Sequence, residues 1–265
     1  NGKLTAGAID GTDAGIITLT STNDVIAGTS VTVADATGVT VNMTAKKFIT
    51  NDGLAIGVGN AITVQNTGGN ITASLAGAAA AKVNYTVSTA KGVVNLTATN
   101  TGGLTSTITN NSLIADALTS TITLGNAVAT AKNAITVAGE VATLNVTGGT
   151  GDDNITFNAA AQVKSGTISL GTGTDSVDFT GILGAASGLT AAGVVINLGS
   201  TAYKIDAGTA YETSVAAGHA VEYNAAAGTT TKKLVTDGFD LTLSGVEKVT
   251  GTDYADIIIA NAEGS

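Results

Sequence analysis

The chain has 265 residues, of which 43% are hydrophobic but only 3% aromatic, and it contains neither cysteine nor proline. The absence of cysteine excludes a disulfide framework, a thiolate metal site and a cysteine nucleophile. The formal net charge is -9 and every basic residue is a lysine, which excludes a nucleic-acid partner because phosphate backbones would be repelled.

The first half of the sequence consists of short runs in which apolar residues alternate with Thr or Asn, each closed by Gly, Asn or Asp. This two-residue period predicts strands with one buried face. An alanine-rich window at 75–82 is too short for an independent helix, and we expect a loop or a single turn there. The spacing fits no single period, so an irregular solenoid and a β-sandwich both stay open. Clear strand-like runs lie at 16–20, 30–33, 39–43, 61–64 and 121–124.

The segment 148–156 fills the nonapeptide pattern G-G-x-G-x-D-x-U-x, in which U is apolar, at every specified position. A second copy at 170–178 has Leu170 in place of the first glycine. Calcium takes about six to eight oxygen ligands, which a tight glycine turn supplies as carbonyls beside a carboxylate, here Asp153 or Asp175. The alternative is that both copies are ordinary turns.

The apolar residue two places after each aspartate, Ile155 or Val177, is expected to begin a strand and to point into the core. The two aspartates are 22 residues apart in the sequence, whereas two nonapeptides would complete a turn in about 18. We therefore predict that residues 158–165 bulge out of the coil.

Further elements follow toward the C-terminus. The apolar run 194–198 predicts a buried strand, and His219 is expected in an exposed loop. Near the end, the segment 251–258 keeps the Asp and apolar spacing without the central glycine, so Asp256 marks a third acidic turn. Its alternative is again an ordinary turn.

Charge divides the chain into two parts. Residues 1–149 carry seven acids and six lysines, net -1, while residues 150–265 carry thirteen acids and five lysines, net -8. Because the acids gather where the nonapeptides lie, a set of cation sites is favoured over a general solubility role. We predict a Thr/Ala/Val/Gly-rich β domain at 1–147, as a solenoid or a sandwich, and an acidic calcium-binding solenoid at 148–265.

These motifs carry a family resemblance. The two nonapeptides, the Asp-Ser-Val-Asp-Phe run at 175–179 and the segment 244–256 resemble the repeats-in-toxin (RTX) family, which type I secretion exports. The composition resembles that of surface-layer proteins and large adhesins within this group. The resemblance implies an all-β, elongated parallel β-helix or β-roll-like solenoid with calcium-binding turns. Carried over by motif position, the Ca²⁺ ligands are the carboxylates and turn carbonyls of Gly149, Gly151, Asp153, Gly171, Gly173, Asp175 and Asp256.

The resemblance also implies a function. We expect a secreted structural component of a bacterial cell-surface layer that self-associates on extracellular calcium, with cell-surface polysaccharide as a second partner. The alternative is a stalk or ligand-binding segment of a calcium-dependent adhesin. The sequence contains no uninterrupted run of 18 or more apolar residues, so no transmembrane helix is predicted. The chain begins without a signal-peptide pattern, and we expect it to be a fragment of a longer protein.

Two other classes of function were compared. Catalysis is not expected, because the single histidine, His219, lies in no H-E-x-x-H motif and in no evident Ser-His-Asp arrangement. Thr-x-Thr runs at 18–20, 97–99 and 121–123 would form an array that binds sugars or ice if they shared one face. The alternative is that these threonines are ordinary exposed strand residues.

Overall fold

Strands make up all of the regular structure that the computed structural model describes, and no helix occurs among those residues. The described residues are 4–6, 9–11, 16–20, 26–28, 31–33, 40–45, 48–56, 61–66, 70–75, 81–87, 93–99, 101–111, 118–126, 128–158, 161–182, 193–224, 233–235 and 237–261. This confirms the all-β prediction. No helix within these ranges is long and apolar enough to cross a membrane.

The strands are short, as expected for Thr, Val and Ile runs interrupted by Gly and Asn. In chain order they are β1 (Leu4–Ala6), β2 (Ile9–Gly11), β3 (Ile16–Thr20), β4 (Ile26–Gly28), β5 (Val31–Val33), β6 (Thr40–Ala45), β7 (Phe48–Ile56), β8 (Ala61–Asn66), β9 (Asn70–Leu75), β10 (Ala81–Val87), β11 (Val94–Ala98), β12 (Leu104–Asn111), β13 (Thr119–Leu124), β14 (Lys132–Thr147), β15 (Asp152–Phe157), β16 (Gln162–Ser169), β17 (Ser176–Asp178), β18 (Gly193–Asn197), β19 (Tyr203–Ile205), β20 (Thr213–Val215), β21 (His219–Tyr223), β22 (Asp240–Ser244), β23 (Lys248–Thr250) and β24 (Ile257–Ile259).

Most strands belong to two parallel ladders, and the chain passes back and forth between them. Ladder A contains β1, β4, β7, β9, β11, β13, the second half of β14, β16 and β22. Ladder B contains β3, β6, β8, β10, β12, the first half of β14, β15, β17 and β23. The long strand β14 joins the ladders, and Gly139, with φ at 75°, lies between its two halves.

Each step along a ladder corresponds to one rung of two strands. Asn95 pairs with Thr121, Thr121 with Asn145 and Asn145 with Thr167, so partners are 22 to 26 residues apart. Asn154 pairs with Ser176 at the same kind of interval. The predicted bulge at 158–165 is therefore wrong: residues 162–165 belong to β16, because a rung contains two strands and two turns rather than two nonapeptides.

The core lies between the ladders and is built from small aliphatic columns. Ile122, Val146 and Ile168 occupy successive inward positions of ladder A, and Ile155 and Val177 do so in ladder B; all are buried. The expectation for Ile155 and Val177 is confirmed. Aromatic packing is added near the acidic half, where Phe179 stacks on Phe157 and Phe239 with ring centroids 5.4 and 6.4 Å apart.

A long insertion separates β17 from β22. It contains β18 and β21, which pair antiparallel with each other. β21 also pairs antiparallel with β22, and β24, which follows later in the chain, pairs parallel with β18. All of β18 is buried, which confirms the buried strand predicted at 194–198. A two-stranded sheet of β19 and β20 covers a second small core that includes Val195 and Tyr223.

Two other expectations concern the chain upstream. The alanine-rich window falls between β9, which ends at Leu75, and β10, which begins at Ala81; residues 76–80 lie outside the described residues. The strand β14 ends at Thr147 and pairs with both β15 and β16. Strand pairing thus continues across the predicted boundary at 147/148, and the division into two domains stays a prediction.

Candidate metal centre

The two nonapeptide turns stack directly on each other at the entrance to β15 and β17. The amide of Thr172 donates a 3.1 Å hydrogen bond to the carbonyl oxygen of Gly149. Gly171 has φ at +89°, and a Cβ on it would collide with that same carbonyl. A Cβ on Gly173 would meet the carbonyl oxygen of Gly151. The glycines are required here because backbone packs on backbone.

Four polar side chains follow one another at the start of ladder B strands, and we call them the turn column: Asn133, Asp153, Asp175 and Glu247. Asn133 pairs with Asp153 across β14 and β15. Asp153 and Asp175 each precede a paired residue, since Asn154 pairs with Ser176. Glu247 precedes Lys248, which pairs with Ser176. The register therefore places one member of the column on each of four neighbouring strands.

Hydrogen bonds connect the turn column from end to end. Nδ2 of Asn133 donates to Oδ1 of Asp153 over 2.6 Å, and the Asp153 amide donates to Oδ1 of Asp175 over 2.7 Å. The Asp175 amide donates to Oε2 of Glu247 over 2.8 Å. At the other end, Oδ1 of Asn133 accepts from the Leu104 amide over 2.8 Å. Each acceptor thus satisfies a polar group of the neighbouring strand.

The two aspartates differ in how their carboxyl oxygens are satisfied. Oδ2 of Asp153 accepts a 3.2 Å hydrogen bond from the Gly149 amide, so both oxygens of Asp153 have a partner. Oδ2 of Asp175 is buried and has no hydrogen-bond partner in the described structure. Both side chains are 0% exposed. An ionised oxygen buried without a partner is unfavourable, so Asp175 is the position where a compensating positive charge is most needed.

The electrostatic environment also favours a positive charge beside Asp175. The pKa of the Asp175 carboxyl is raised to about 6, mainly by burial and in addition by the neighbouring Asp153, Glu247 and Asp152 charges, while the hydrogen bond from the Asp153 amide lowers it. Burial also raises the pKa of Asp153, against the hydrogen bonds from Asn133 and Gly149. No described ion pair includes either aspartate; Lys132 lies 3.5 Å from exposed Asp152 instead.

Side chains alone do not complete a metal site in this part of the protein. Within the described ranges, no group of three or more His, Asp or Glu side chains is arranged to hold a metal ion. A calcium ion accepts backbone carbonyls together with carboxylates, however. Oδ2 of Asp175 fits the carboxylate role because it is buried, raised in pKa and without a hydrogen-bond donor. Carbonyls of the stacked glycine turns would supply neutral oxygens.

The structure brings most of the predicted ligands together, with one exception. Gly149, Gly151, Asp153, Gly171, Gly173 and Asp175 all belong to the two stacked turns. Asp256 belongs to a separate turn that precedes β24. Its Oδ1 accepts from the Val194 amide over 2.8 Å, and its Oδ2 accepts from the Thr252 amide over 2.7 Å. Asp256 therefore acts in the described structure as a cap that joins β18 to β24.

Two members of the turn column were missed by the sequence analysis: Asn133 and Glu247. For Asn133 a local signal exists, because Asn-Ala-Ile-Thr-Val at 133–137 is similar to Asp-Asn-Ile-Thr-Phe at 153–157. An alignment of strand beginnings would have found it. Glu247 is separated from Asp175 by 72 residues, and only the tertiary structure places them side by side.

His219 is not in an exposed loop, so that prediction is wrong. It begins β21, is half-buried, and its Nδ1 lies 2.7 Å from Oδ1 of Asp240. The reason is the antiparallel pairing of β21 with β22, which places Asp240 opposite Val221 and Thr242 opposite His219.

Comparisons of the chain with family models, with curated proteins and with solved structures give no match.

Proposed function

We propose that this protein is a structural component of a bacterial cell-surface layer that folds and assembles on extracellular calcium. In this proposal the two parallel ladders form an elongated β-solenoid, and the stacked turns around Asp153 and Asp175 are RTX-type calcium-binding turns. The observation that supports it most directly is the buried Oδ2 of Asp175, which has no hydrogen-bond donor and no described ion-pair partner.

Calcium would act as a folding switch in this proposal. Where calcium is scarce, as in the cytosol, the acidic turns repel one another, and the chain is easier to unfold for export. Outside the cell, calcium bound to the folded state stabilises it by mass action. The absence of cysteine agrees with this role, because no disulfide is available to stabilise the secreted chain.

Self-association would complete the layer, with the chain itself as the main partner. A second candidate function is a stalk or ligand-binding segment of a calcium-dependent RTX adhesin. The exposed threonines of ladder A favour it, since Thr97 and its neighbours form columns of uncharged polar side chains on the outer face of the ladder. Assembly separates the two candidates, because a lattice component forms ordered particles with calcium whereas an adhesin segment folds without assembling.

We propose no catalytic role. His219 and Asp240 form a pair, but Asp240 is exposed and the pair lies on a strand surface rather than in a deep pocket. Catalytic acids and bases are ordinarily found in clefts that exclude water.

A calcium titration tests the proposal. The purified chain is titrated with calcium, with magnesium and with chelator, and read by far-UV circular dichroism, calorimetry and light scattering. Asp175→Asn is the test variant. Asp178→Asn is its matched control, because Asp178 is the last residue of β17, the strand that Asp175 precedes, and has the same formal charge, but bonds only to Thr180 in the described contacts.

The expected result is a calcium-specific gain in β-structure with assembly in the wild type and the control, and a loss of calcium affinity in Asp175→Asn. A gain without assembly would favour the adhesin segment. If neither calcium nor chelator changes the wild-type chain, the acidic turns are ordinary turns and the proposal fails.

A further inference from the structure

One outer face of ladder A carries two columns of hydroxyl and amide side chains, which we call the hydroxyl strip. The strand register places every second residue of six neighbouring strands in these columns. None of the side chains is buried. The first column is Thr72, Asn95, Thr121, Asn145, Thr167 and Thr242, and the second is Thr97, Thr123, Thr147, Ser169 and Ser244. Of the Thr-x-Thr runs predicted to share one face, Thr97, Thr121 and Thr123 do so, whereas the run at 18–20 belongs to β3 in ladder B.

The hydroxyl strip contains no charged residue, although the whole chain has a net charge of -9. Ladder B differs in this respect, because its exposed side carries Lys132, Asp178 and Lys248. Charge is therefore absent from the two columns of the strip. On the same face, the exposed Asp240 lies two residues before Thr242, at the end of the first column. A surface of this kind is suited to an uncharged partner that both donates and accepts hydrogen bonds.

A groove of about 480 Å³ lies on the hydroxyl strip. Thr72, Thr97 and Thr121 line it together with Asn95 and Thr123, and the buried Ala73 and Leu96 lie beneath them. Its volume is within the range of small-ligand sites, about 300–1,000 Å³. The groove is largely open to solvent, so the strip has a shallow region against which a sugar-sized group can lie.

The dimensions of the hydroxyl strip decide between occupants. Neighbouring strands are about 4.8 Å apart and alternate residues about 6.6 Å apart, so the strip is about 24 Å long and two columns wide. Its area is roughly 300 Å² by the same spacings. A stable interface with a second copy of the chain would bury about 800 Å² on each partner. The strip is too narrow for that and has the shape of a single extended polymer.

We propose that the hydroxyl strip binds one chain of a neutral polysaccharide. A pyranose ring in an extended polysaccharide advances by a distance similar to one strand spacing, so successive rings meet successive threonine or asparagine side chains. Hydroxyls of the sugar both donate to and accept from these groups. The strip lies on the outer face of ladder A, and its residues Thr147 and Ser169 immediately precede the two stacked turns. The proposal rests on the ligand-binding alternative given above and names the class of its ligand.

The test uses the whole chain and a matched pair of double variants. Thr97→Val with Thr123→Val removes two hydroxyls from cross-strand neighbours on the strip. Thr107→Val with Thr136→Val does the same to cross-strand neighbours on ladder B. Valine favours strands, so both variants are expected to fold, which circular dichroism checks. The probes are insoluble cellulose and chitin in sedimentation assays, dextran in calorimetry, and polygalacturonate as an acidic comparison.

The wild type is expected to bind at least one of the three neutral probes. Loss of two hydrogen bonds should weaken this binding about ten-fold in the strip variant, with no change in the ladder B variant. Binding is measured in calcium and in chelator, and a circular dichroism spectrum is recorded in each condition. A loss of binding with a loss of β-structure indicates failed calcium-dependent folding, whereas a loss of binding with an unchanged spectrum indicates loss of the sugar site. The proposal is overturned if no neutral probe binds, if both variants weaken equally, or if the wild type binds only polygalacturonate. It is also overturned if the wild type binds no polysaccharide but shows thermal hysteresis that the strip variant loses, because that result would indicate an ice-binding face.

Discussion

The amide of Asp153 donates a 2.7 Å hydrogen bond to Oδ1 of Asp175, and this bond links the first nonapeptide turn to the second. The two carboxylates differ in their hydrogen bonding. Asp153 has a partner on each oxygen, whereas Asp175 keeps one buried oxygen without a partner. A pair of motifs that look equivalent in the sequence is therefore unequal in the structure, and experiments on the two aspartates should give different results.

Asp175→Asn should make the calcium-free protein more stable at neutral pH. The substitution removes a buried charge and keeps an acceptor for the Asp153 amide. We expect a gain of about 1–3 kcal/mol, because a neutral amide buried without a partner costs less than a buried charge. Thermal unfolding in chelator measures it, with Asp178→Asn as the control of equal charge. If Asp175→Asn is less stable than the wild type in chelator, the charge of the Asp175 carboxylate is already compensated without calcium.

The same residue gives a prediction on pH. The pKa of Asp175 is about 6 in the folded protein, above the value of about 3.9 for an unfolded aspartate. The folded state thus binds the proton more tightly, so this contribution to stability is full below about pH 4 and is lost as the pH rises through about 6. The difference in unfolding free energy between wild type and Asp175→Asn should follow this curve. A difference that does not vary between pH 4 and pH 7.5 would contradict it.

Asn133→Ala should destabilise the fold strongly. Asn133 is buried; it accepts from the Leu104 amide and donates to Oδ1 of Asp153. Alanine would leave both groups without these bonds, at a cost of about 1–3 kcal/mol each. Urea unfolding measures the loss. Asn154→Ala is the control, because Asn154 is exposed on the adjoining strand and should change stability by less than about 0.5 kcal/mol. If both substitutions lowered the unfolding free energy equally, the hydrogen bonds of Asn133 in the turn column would not contribute to stability as described.

The sequence allowed prediction of the features that depend on neighbours along the chain. Alternation of apolar residues with Thr predicted strands such as β3, β6 and β13, and the inward positions of Ile155 and Val177 followed from the strand period. The length of a rung was predicted wrongly, because the nine-residue pattern contains only one turn and one strand and does not show that each rung has a second strand. The contact of Glu247 with Asp175 was not predictable, since the insertion that contains β18 and β21 separates them.

Gly171→Ala tests the close packing of the two turns, and Gly208→Ala is its matched control. Both glycines have left-handed backbones, with φ at +89° and +78°, but a Cβ on Gly208 would meet nothing within 4 Å. The control should therefore cost only about 1–2 kcal/mol for the backbone conformation. Gly171→Ala should cost about 1–3 kcal/mol more, because its Cβ collides with the Gly149 carbonyl. Chemical denaturation compares them, and equal losses would show that the turns are not packed backbone on backbone.

Asp256→Ala should separate a structural acidic turn from a calcium-binding one. Both oxygens of Asp256 accept amide hydrogen bonds, from Val194 and Thr252, and Thr252 Oγ1 adds a third at 2.8 Å. Removing the carboxylate should destabilise the chain by about 1–3 kcal/mol, since it leaves these donors without their acceptor. Calcium affinity measured by calorimetry should stay at the wild-type value, because both oxygens of Asp256 already accept amide hydrogen bonds that hold the turn, unlike Oδ2 of Asp175. A large loss of affinity in Asp256→Ala, comparable with that of Asp175→Asn, would instead show that calcium displaces the amide donors and that this turn binds the ion as well.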